Sequence, residues 1–380
     1  MTGLLPKSAV VRHATHRGFS APRVAIVHYW LVSMRGGERV LERLLNLFPE
    51  ADIFTHVHDP SRISDTLNKA VAKTSFINRL PFSKRVYPYY LPLMPMALEH
   101  LDLGAYDLVI SSEAGPAKGI ITRPDSLHVC YCHSPMRYLW DQYHQYRQDS
   151  SGLARLAMPA IYHRLRQWDV SSSARVDKFA ANSRFIRDRI NKVWRRESEV
   201  IHPPVSVNLF TPSTQIDDNY LWVGQFVPYK RPDLAVKAFN ANGLPLLMVG
   251  TGSMEKSLRA MAGPNIKFVK RMDFTELRAA YARCKALVMT AEEDFGITPV
   301  EAMASGRPVV AFGRGGVMDS VKAGETGVFF SSQEPDSLIV AIDEMESFLE
   351  HFDPRDAVAH AQSFVPEIFD EKIRLLTQTA

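Results

Sequence analysis

From residue 24 onward the chain alternates short, wholly apolar runs with longer stretches whose apolar residues recur every three or four positions. VAIVHYW reads as a buried strand, LVSMRGG as a loop, and ERVLERLLNLF as a helix with one apolar face. ADIFTHV, AYDLVISSE and SLHVCYCHSPMRYLWD carry the next strands, residues 153–179 a basic helical region, and KFAANSRFIRDRI a strand followed by a helix. The proline-rich VIHPPVSVNLFTPS then breaks the pattern near residue 205. NYLWVGQFVPYKRPDLAVKAFN restarts it, LPLLMVGTGS, NIKFVKR, ALVMTAEEDF, PVVAFGRGG and GVFF continue it, and PEIFDEKIRLLTQ closes the chain as an amphipathic helix. Strands that are apolar on both faces and alternate with helices predict parallel sheets covered by helices. The fold class is therefore α/β in two domains, 21–205 and 206–364, preceded by a tail over 1–20 and followed by a terminal helix over 365–380.

Composition adds bounds rather than detail. A length of 380 residues accommodates two separate cores, and 46% hydrophobic with 23% charged residues is ordinary for a globular chain. Cys130, Cys132 and Cys284 are odd in number and form no CxxC, which fits a reduced, cytoplasmic setting. No apolar run approaches the roughly eighteen residues of a membrane span, so any membrane contact is peripheral. Residues 1–20 hold Lys7, Arg12 and Arg17 without an acid and read as a flexible basic tail, a transit peptide being the alternative. Charge is lopsided: residues 1–205 carry 28 lysines and arginines against 18 acids, residues 206–380 carry 17 against 23. Such a surplus suits a phosphate-bearing substrate or an anionic membrane face, and no nucleic-acid motif accompanies it. Within it, residues 76–96 interleave Arg79, Lys84 and Arg85 with Tyr87, Tyr89 and Tyr90, either as a membrane-facing patch or as a helix and loop packed on the core.

The stretch 286–312 concentrates the candidate chemistry. Glu293 sits in a loop after an apolar strand, and Glu301 in the first turn of a helix expected to begin near Pro299. The backbone N–H groups of Phe295, Gly296, Ile297 and Thr298 would lie between them, an anion site flanked by two hydroxyl acceptors. A nucleotide-sugar presents hexose hydroxyls, diphosphate and ribose hydroxyls in that order. The competing reading is a capping box from Thr298 to Glu301. Gly36 and Gly37 allow close backbone approach to a ligand, or simply a tight turn. His133 ends a strand and Lys230 follows one, both at the sheet edge where open α/β folds bind ligands. Gly250 and Gly252 follow a strand but lack the third glycine of a dinucleotide fingerprint.

Glu293-Asp-Phe-Gly296 followed by Glu301-Ala-Met-Ala-Ser-Gly306 resembles the E-x7-E signature of GT-B glycosyltransferases of family 4. HYWLVSMRGGERV, YCHSPMRYLWD and VPYKRPDLAV extend the resemblance over residues 23–378, nearest to the WbaZ-like mannosyltransferase group. It implies two Rossmann-like parallel-sheet domains facing a central cleft, an acceptor-binding first domain, a donor-binding second, and a terminal helix crossing back to the first. The implied reaction is metal-independent, cofactor-free and retaining: a hexose, mannose from GDP-mannose, passes to a saccharide acceptor linked to polyprenyl diphosphate, in polysaccharide or O-antigen biosynthesis at the inner face of the cytoplasmic membrane. The catalytic residues would be His133, Lys230 and Glu293. Glu293 would hold ring hydroxyls, His133 the far end of the sugar, Glu301 the ribose, and Lys230 with Arg231 the diphosphate. Gly37 and the amides of Phe295 to Thr298 complete the donor side; Gly36, Lys118, Arg137, Tyr138 and Trp140 form the acceptor side. Gly315, Gly316, Thr326 and Gly327 match positions where the family's backbone meets sugar and phosphate. Gln225 departs from the pattern, standing where the family carries an arginine. Alternatives are a UDP-sugar-dependent transferase, a nucleotide-sugar epimerase, or a silent binding subunit.

Overall fold

The apolar runs become the strands of two parallel sheets in a computed structural model that describes residues 22–150 and 152–378. The expected tail over 1–20 lies outside the described residues. The first sheet holds β1 (Val24–His28), β2 (Asp52–Thr55), β3 (Val71–Thr74), β4 (Leu108–Glu113), β5 (Leu127–Cys132), β6 (Lys178–Ala181) and β7 (Glu199–Val200), in the order β3-β2-β1-β4-β5-β6-β7. The second holds β8 (Tyr220–Val223), β9 (Leu246–Val249), β10 (Ile266–Val269), β11 (Leu287–Met289), β12 (Val309–Phe312) and β13 (Gly327–Phe330), in the order β10-β9-β8-β11-β12-β13. The expected pair of Rossmann-like sheets is what the chain forms. β3 and β7 escaped the sequence pattern because both lie at sheet edges, one half exposed and polar, the other two residues long. In each sheet the strand order reverses direction at one place, between β1 and β4 and between β8 and β11, and the crevice at such a point is where open sheets bind ligands.

The terminal helix Pro366–Thr377 returns to the first sheet, as the resemblance implied. Phe369, Ile373 and Leu376 recur on one helical face and join the core of β1, β4 and β5. Phe369 meets Tyr131 edge to face at 5.5 Å. Arg43 clasps Asp370 with both arms, Nε to Oδ1 at 2.7 Å and an Nη to Oδ2 at 2.6 Å, a geometry only the planar guanidinium supplies.

Residues 76–99 fold into short helical turns, Phe76–Arg79, Ser83–Val86, Tyr87–Leu93 and Met94–Glu99. Ile77, Leu91 and Met94 are buried, while Phe82 and Tyr89 stand 80% and 78% exposed. The packed reading therefore holds for one face of this region, and the other carries aromatic rings into solvent. Among the described residues no helix is long and apolar enough to cross a membrane.

Candidate functional site

The helix carrying Glu301 begins at Ile297, two residues ahead of the expected Pro299, and runs to Ala304 with Gly296 before it at φ 83°. Thr298 thus lies inside the helix and no side chain caps it, so the Thr298–Glu301 capping box does not form. The Glu301 carboxylate is engaged elsewhere: Tyr281 donates its hydroxyl to Oε2 at 2.9 Å, and Arg39 of the first domain lies 3.7 Å from Oε1. Burial raises the Glu301 carboxyl above its usual range.

The loop between β11 and this helix crosses to the first domain. Ser183 donates to the Asp294 carbonyl at 2.5 Å, and the Asp294 carboxylate faces Ser134 at 3.4 Å and both Arg137 and Arg189 at 3.6 Å. Behind the loop, Gly316 donates to the Glu293 carbonyl at 2.8 Å. Gly315 has φ 89°, and a Cβ there would stand 2.5 Å from the Glu293 carbonyl oxygen. The Gly315–Gly316 pair therefore clamps the acidic loop from behind, and Gly327 packs in the same way on the Val309 carbonyl.

A cavity of about 290 Å³ opens between the domains in front of that loop. The first domain lines it with Tyr29, Gly36, Gly37, His133 and Asn182, the second with Lys230 and residues 293–298. His133, Lys230, Glu293, Gly37 and the helix-opening amides thus share one space, although they come from opposite halves of the chain. Lys230 Nζ donates to Glu293 Oε1 at 2.5 Å. Burial pulls the Lys230 ammonium down, but Glu293 beside it more than offsets this and the net shift is upward, so the lysine stays charged. A Cβ on Gly37 would lie 2.6 Å from the Tyr29 hydroxyl and 3.8 Å from His133 Nε2, so only glycine fits there. His133 shares a hydrogen bond with Ser112 through Nε2 at 2.9 Å; burial and then the neighbouring His28 push its pKa down to about 3, which keeps the ring neutral near pH 7. A second cavity of about 420 Å³ adjoins it across Ile297, lined by Glu301, Arg39, Phe210 and Phe274.

Other expected residues lie outside this arrangement. Lys118 is fully buried against Asp169, with Glu113 at 3.5 Å, and serves to neutralise two core carboxylates. Trp140 donates Nε1 to the same Asp169 at 2.8 Å, and the Tyr138 hydroxyl is buried. Lys118 is enclosed, Tyr138 and Trp140 are half-buried, and none of the three lines the interdomain cavity. Arg137 bridges the domains through Glu292 and Asp294. Arg231 turns back on Asp233 at 3.2 Å and Gln225 is exposed, and neither lines the cavity. Phe295 buries its ring against His202 and Phe364, leaving only its backbone to the site.

Three arginines went unrecognised. Arg35, Arg39 and Arg43 follow one another every four residues along the first helix, a spacing that puts them on one face and was legible in the sequence. Arg35 is exposed beside the glycine pair, and its charge acts against that of Lys230 across the cavity. Ser112 and Asn182 gave no comparable signal. Lys118→Ala should lower stability by about 3–5 kcal/mol, the cost of leaving buried carboxylates unpaired. Urea unfolding measures this, and unchanged stability with weakened acceptor binding would return Lys118 to the acceptor side.

Residues 34–209 match the family model described as Glycosyltransferase Family 4, and residues 214–351 the one described as Glycosyl transferases group 1. An uncharacterized glycosyltransferase of Methanocaldococcus jannaschii is 27% identical over 168 residues, 43% of this chain and 47% of that protein. A D-inositol 3-phosphate glycosyltransferase of Corynebacterium glutamicum is 30% identical over 164 residues, 38% of this chain and 39% of that protein. The aligned stretch spans less than half the length of either curated relative. Among solved structures, Anabaena HepE in complex with UDP superposes with a TM-score of 0.66 at 16% identity, over 93% of this chain and 98% of that one. Sucrose-phosphate synthase from Thermosynechococcus elongatus gives 0.68 at 17% identity, with the same coverage of both chains.

Proposed function

We propose, for a chain that belongs to the family 4 glycosyltransferases and has the GT-B fold, that it moves a hexose from a nucleotide-sugar to a saccharide acceptor with retention. The observation that carries this is the convergence of His133, Lys230, Glu293 and the amides opening the helix at Ile297 on one interdomain cavity. In this reading the leaving diphosphate meets Lys230 and those amides, fixed before the reaction starts. Glu293 accepts from sugar hydroxyls and orients Lys230. His133 takes the far end of the sugar, and Glu301, held by Tyr281, takes the ribose. The donor phosphate itself receives the acceptor proton, so no protein base is assigned. Because Lys230 already balances Glu293, Arg35 at the cavity mouth is the added positive charge in this scheme.

GDP-mannose is the donor favoured by the motif resemblance. The second reading is a UDP-sugar, favoured by the Anabaena neighbour, whose structures include complexes with UDP and with UDP-glucose. A ligand that binds only the native state raises its melting temperature by mass action. GDP and GDP-mannose should stabilise the protein more than UDP, ADP or their sugars in a thermal-shift series; preferential stabilisation by UDP-sugars selects the second reading. Lys230→Ala should cut turnover about 10²–10³-fold with the fold intact. Near-normal transfer by the purified variant, followed by mass spectrometry, would remove Lys230 from the diphosphate site.

The proposed acceptor is a saccharide on polyprenyl diphosphate at the inner face of the cytoplasmic membrane. The basic surplus of the first half supports this, as do the exposed rings of Phe82 and Tyr89 beside Lys84 and Arg85. Phe82 sits at φ 53°, an unusual conformation for a bulky residue, with its ring in solvent. Flotation with anionic liposomes at low salt should carry the wild-type protein upward, and Phe82→Ser with Tyr89→Ser should leave it in the bottom fraction. Equal flotation of both would take this face out of the proposal.

A further inference from the structure

Behind His133 runs a line of buried polar groups that the transfer scheme does not use. His28 ends β1, Ser112 lies near the end of β4 and His133 follows β5, and these are three adjacent strands of one sheet. His28 Nδ1 and Ser112 Oγ are 3.0 Å apart, and Ser112 Oγ and His133 Nε2 are 2.9 Å apart. At the far end the Glu38 carboxylate, itself 2% exposed, has Oε1 3.8 Å from His28 Nε2 and accepts the Arg35 amide through Oε2 at 2.9 Å. His28 Nε2 is buried without a hydrogen-bond partner among the described residues. His28 and Ser112 are wholly inaccessible to solvent.

We propose that Glu38, His28 and Ser112 act as a relay that fixes the tautomer of His133 and presents its Nδ1 to the cavity as a hydrogen-bond acceptor. The nearby carboxylate favours the proton of His28 on Nε2, since a lone pair there would face negative charge. Nδ1 of His28 is then an acceptor. A serine hydroxyl has one proton to give and lone pairs to receive with, so Ser112 donates to His28 and accepts from His133. His133 therefore carries its proton on Nε2. Its Nδ1 has no protein partner among the described residues, is not one of the buried unpartnered atoms, and belongs to a ring that lines the cavity. Such a ring receives a ligand hydroxyl and repels a group that only accepts, such as a carboxylate. Ser112 and His28 are positioning residues in this scheme. The ligand half of the proposal rests on the nucleotide-sugar reading above; the tautomer half does not.

Two measurements separate those halves. Long-range ¹H–¹⁵N spectra of histidine-labelled protein, with His133 assigned through His133→Asn, should show His133 protonated on Nε2. Ser112→Ala should introduce the Nδ1-protonated form, and Glu38→Gln offers a second, shape-conserving way to disturb the relay. An Nδ1-protonated wild-type ring, or spectra unchanged in both variants, overturns the tautomer assignment. The second measurement uses the nucleotide-sugar that stabilises the wild type most, fluorinated in turn at each sugar hydroxyl, because fluorine does not donate. At one position the wild type should bind the fluorinated compound about tenfold or more weakly, and Ser112→Ala should shrink that ratio rather than weaken both compounds equally. Equal binding of all fluorinated compounds, or an unchanged ratio in the variant, overturns the ligand half. A protein that binds no nucleotide-sugar at all overturns the donor-site reading and the ligand half with it, while the spectra decide the tautomer independently.

Discussion

Everything at the site depends on one short loop crossing from the second sheet to the first. Asp294 gives its carbonyl to Ser183 and its carboxylate to Ser134, Arg137 and Arg189, all of the first domain. Glu293, the neighbouring residue, is thereby turned toward Lys230 and the cavity. The loop backbone has little freedom, because Gly315 and Gly316 lie flat against its other side. The same contact sets how closely the domains approach: a Cβ on Gly36 of the first domain would lie 3.3 Å from the Ile297 side chain of the second.

Charge is handled in two opposite ways in this molecule. In the first domain's core, Asp169 collects Lys118, Trp140 and Trp194, so that a carboxylate far from water has donors all round. Such an arrangement is costly to disturb and leaves nothing for a ligand. At the cavity the pairing is deliberately lean. Lys230 and Glu293 neutralise each other, while from the other domain Arg35 stands exposed beside the glycine pair and Arg39 faces Glu301. An anionic ligand would therefore be held by both halves of the protein, and its binding would favour their close approach.

Five of the first sheet's seven strands and all six of the second were legible because buried parallel strands are apolar on both faces, and a run such as VAIVH or VVAF has few other uses. The terminal helix was legible from the spacing of Phe369, Ile373 and Leu376. Its docking was implied by the family resemblance and not by periodicity, since amphipathicity states that a face is buried and not against what; Arg43 and Asp370 fix it across the length of the chain. Lys118, Tyr138 and Trp140 mislead for a related reason. A lysine in a small-residue turn and aromatic rings after a strand look like sugar-binding groups until Asp169, contributed by a helix further along the chain, is seen to take the Lys118 ammonium and the Trp140 indole, while the Tyr138 hydroxyl is buried without a partner among the described residues.

The sequence by itself determined the two parallel sheets, the break near residue 205, and the local chemistry of Glu293, Glu301, His133 and Lys230, because each of these follows from periodicity or from a motif of neighbouring residues. Only the tertiary structure decided which of those groups meet. Arg231 turns to Asp233, Glu301 goes to Tyr281 and Arg39, and His133 rests on Ser112 and His28. Each of these choices is made by a partner distant in sequence or by a backbone turn, and a hydrogen bond depends on position and angle to a fraction of an ångström, which residue type and spacing along the chain do not encode.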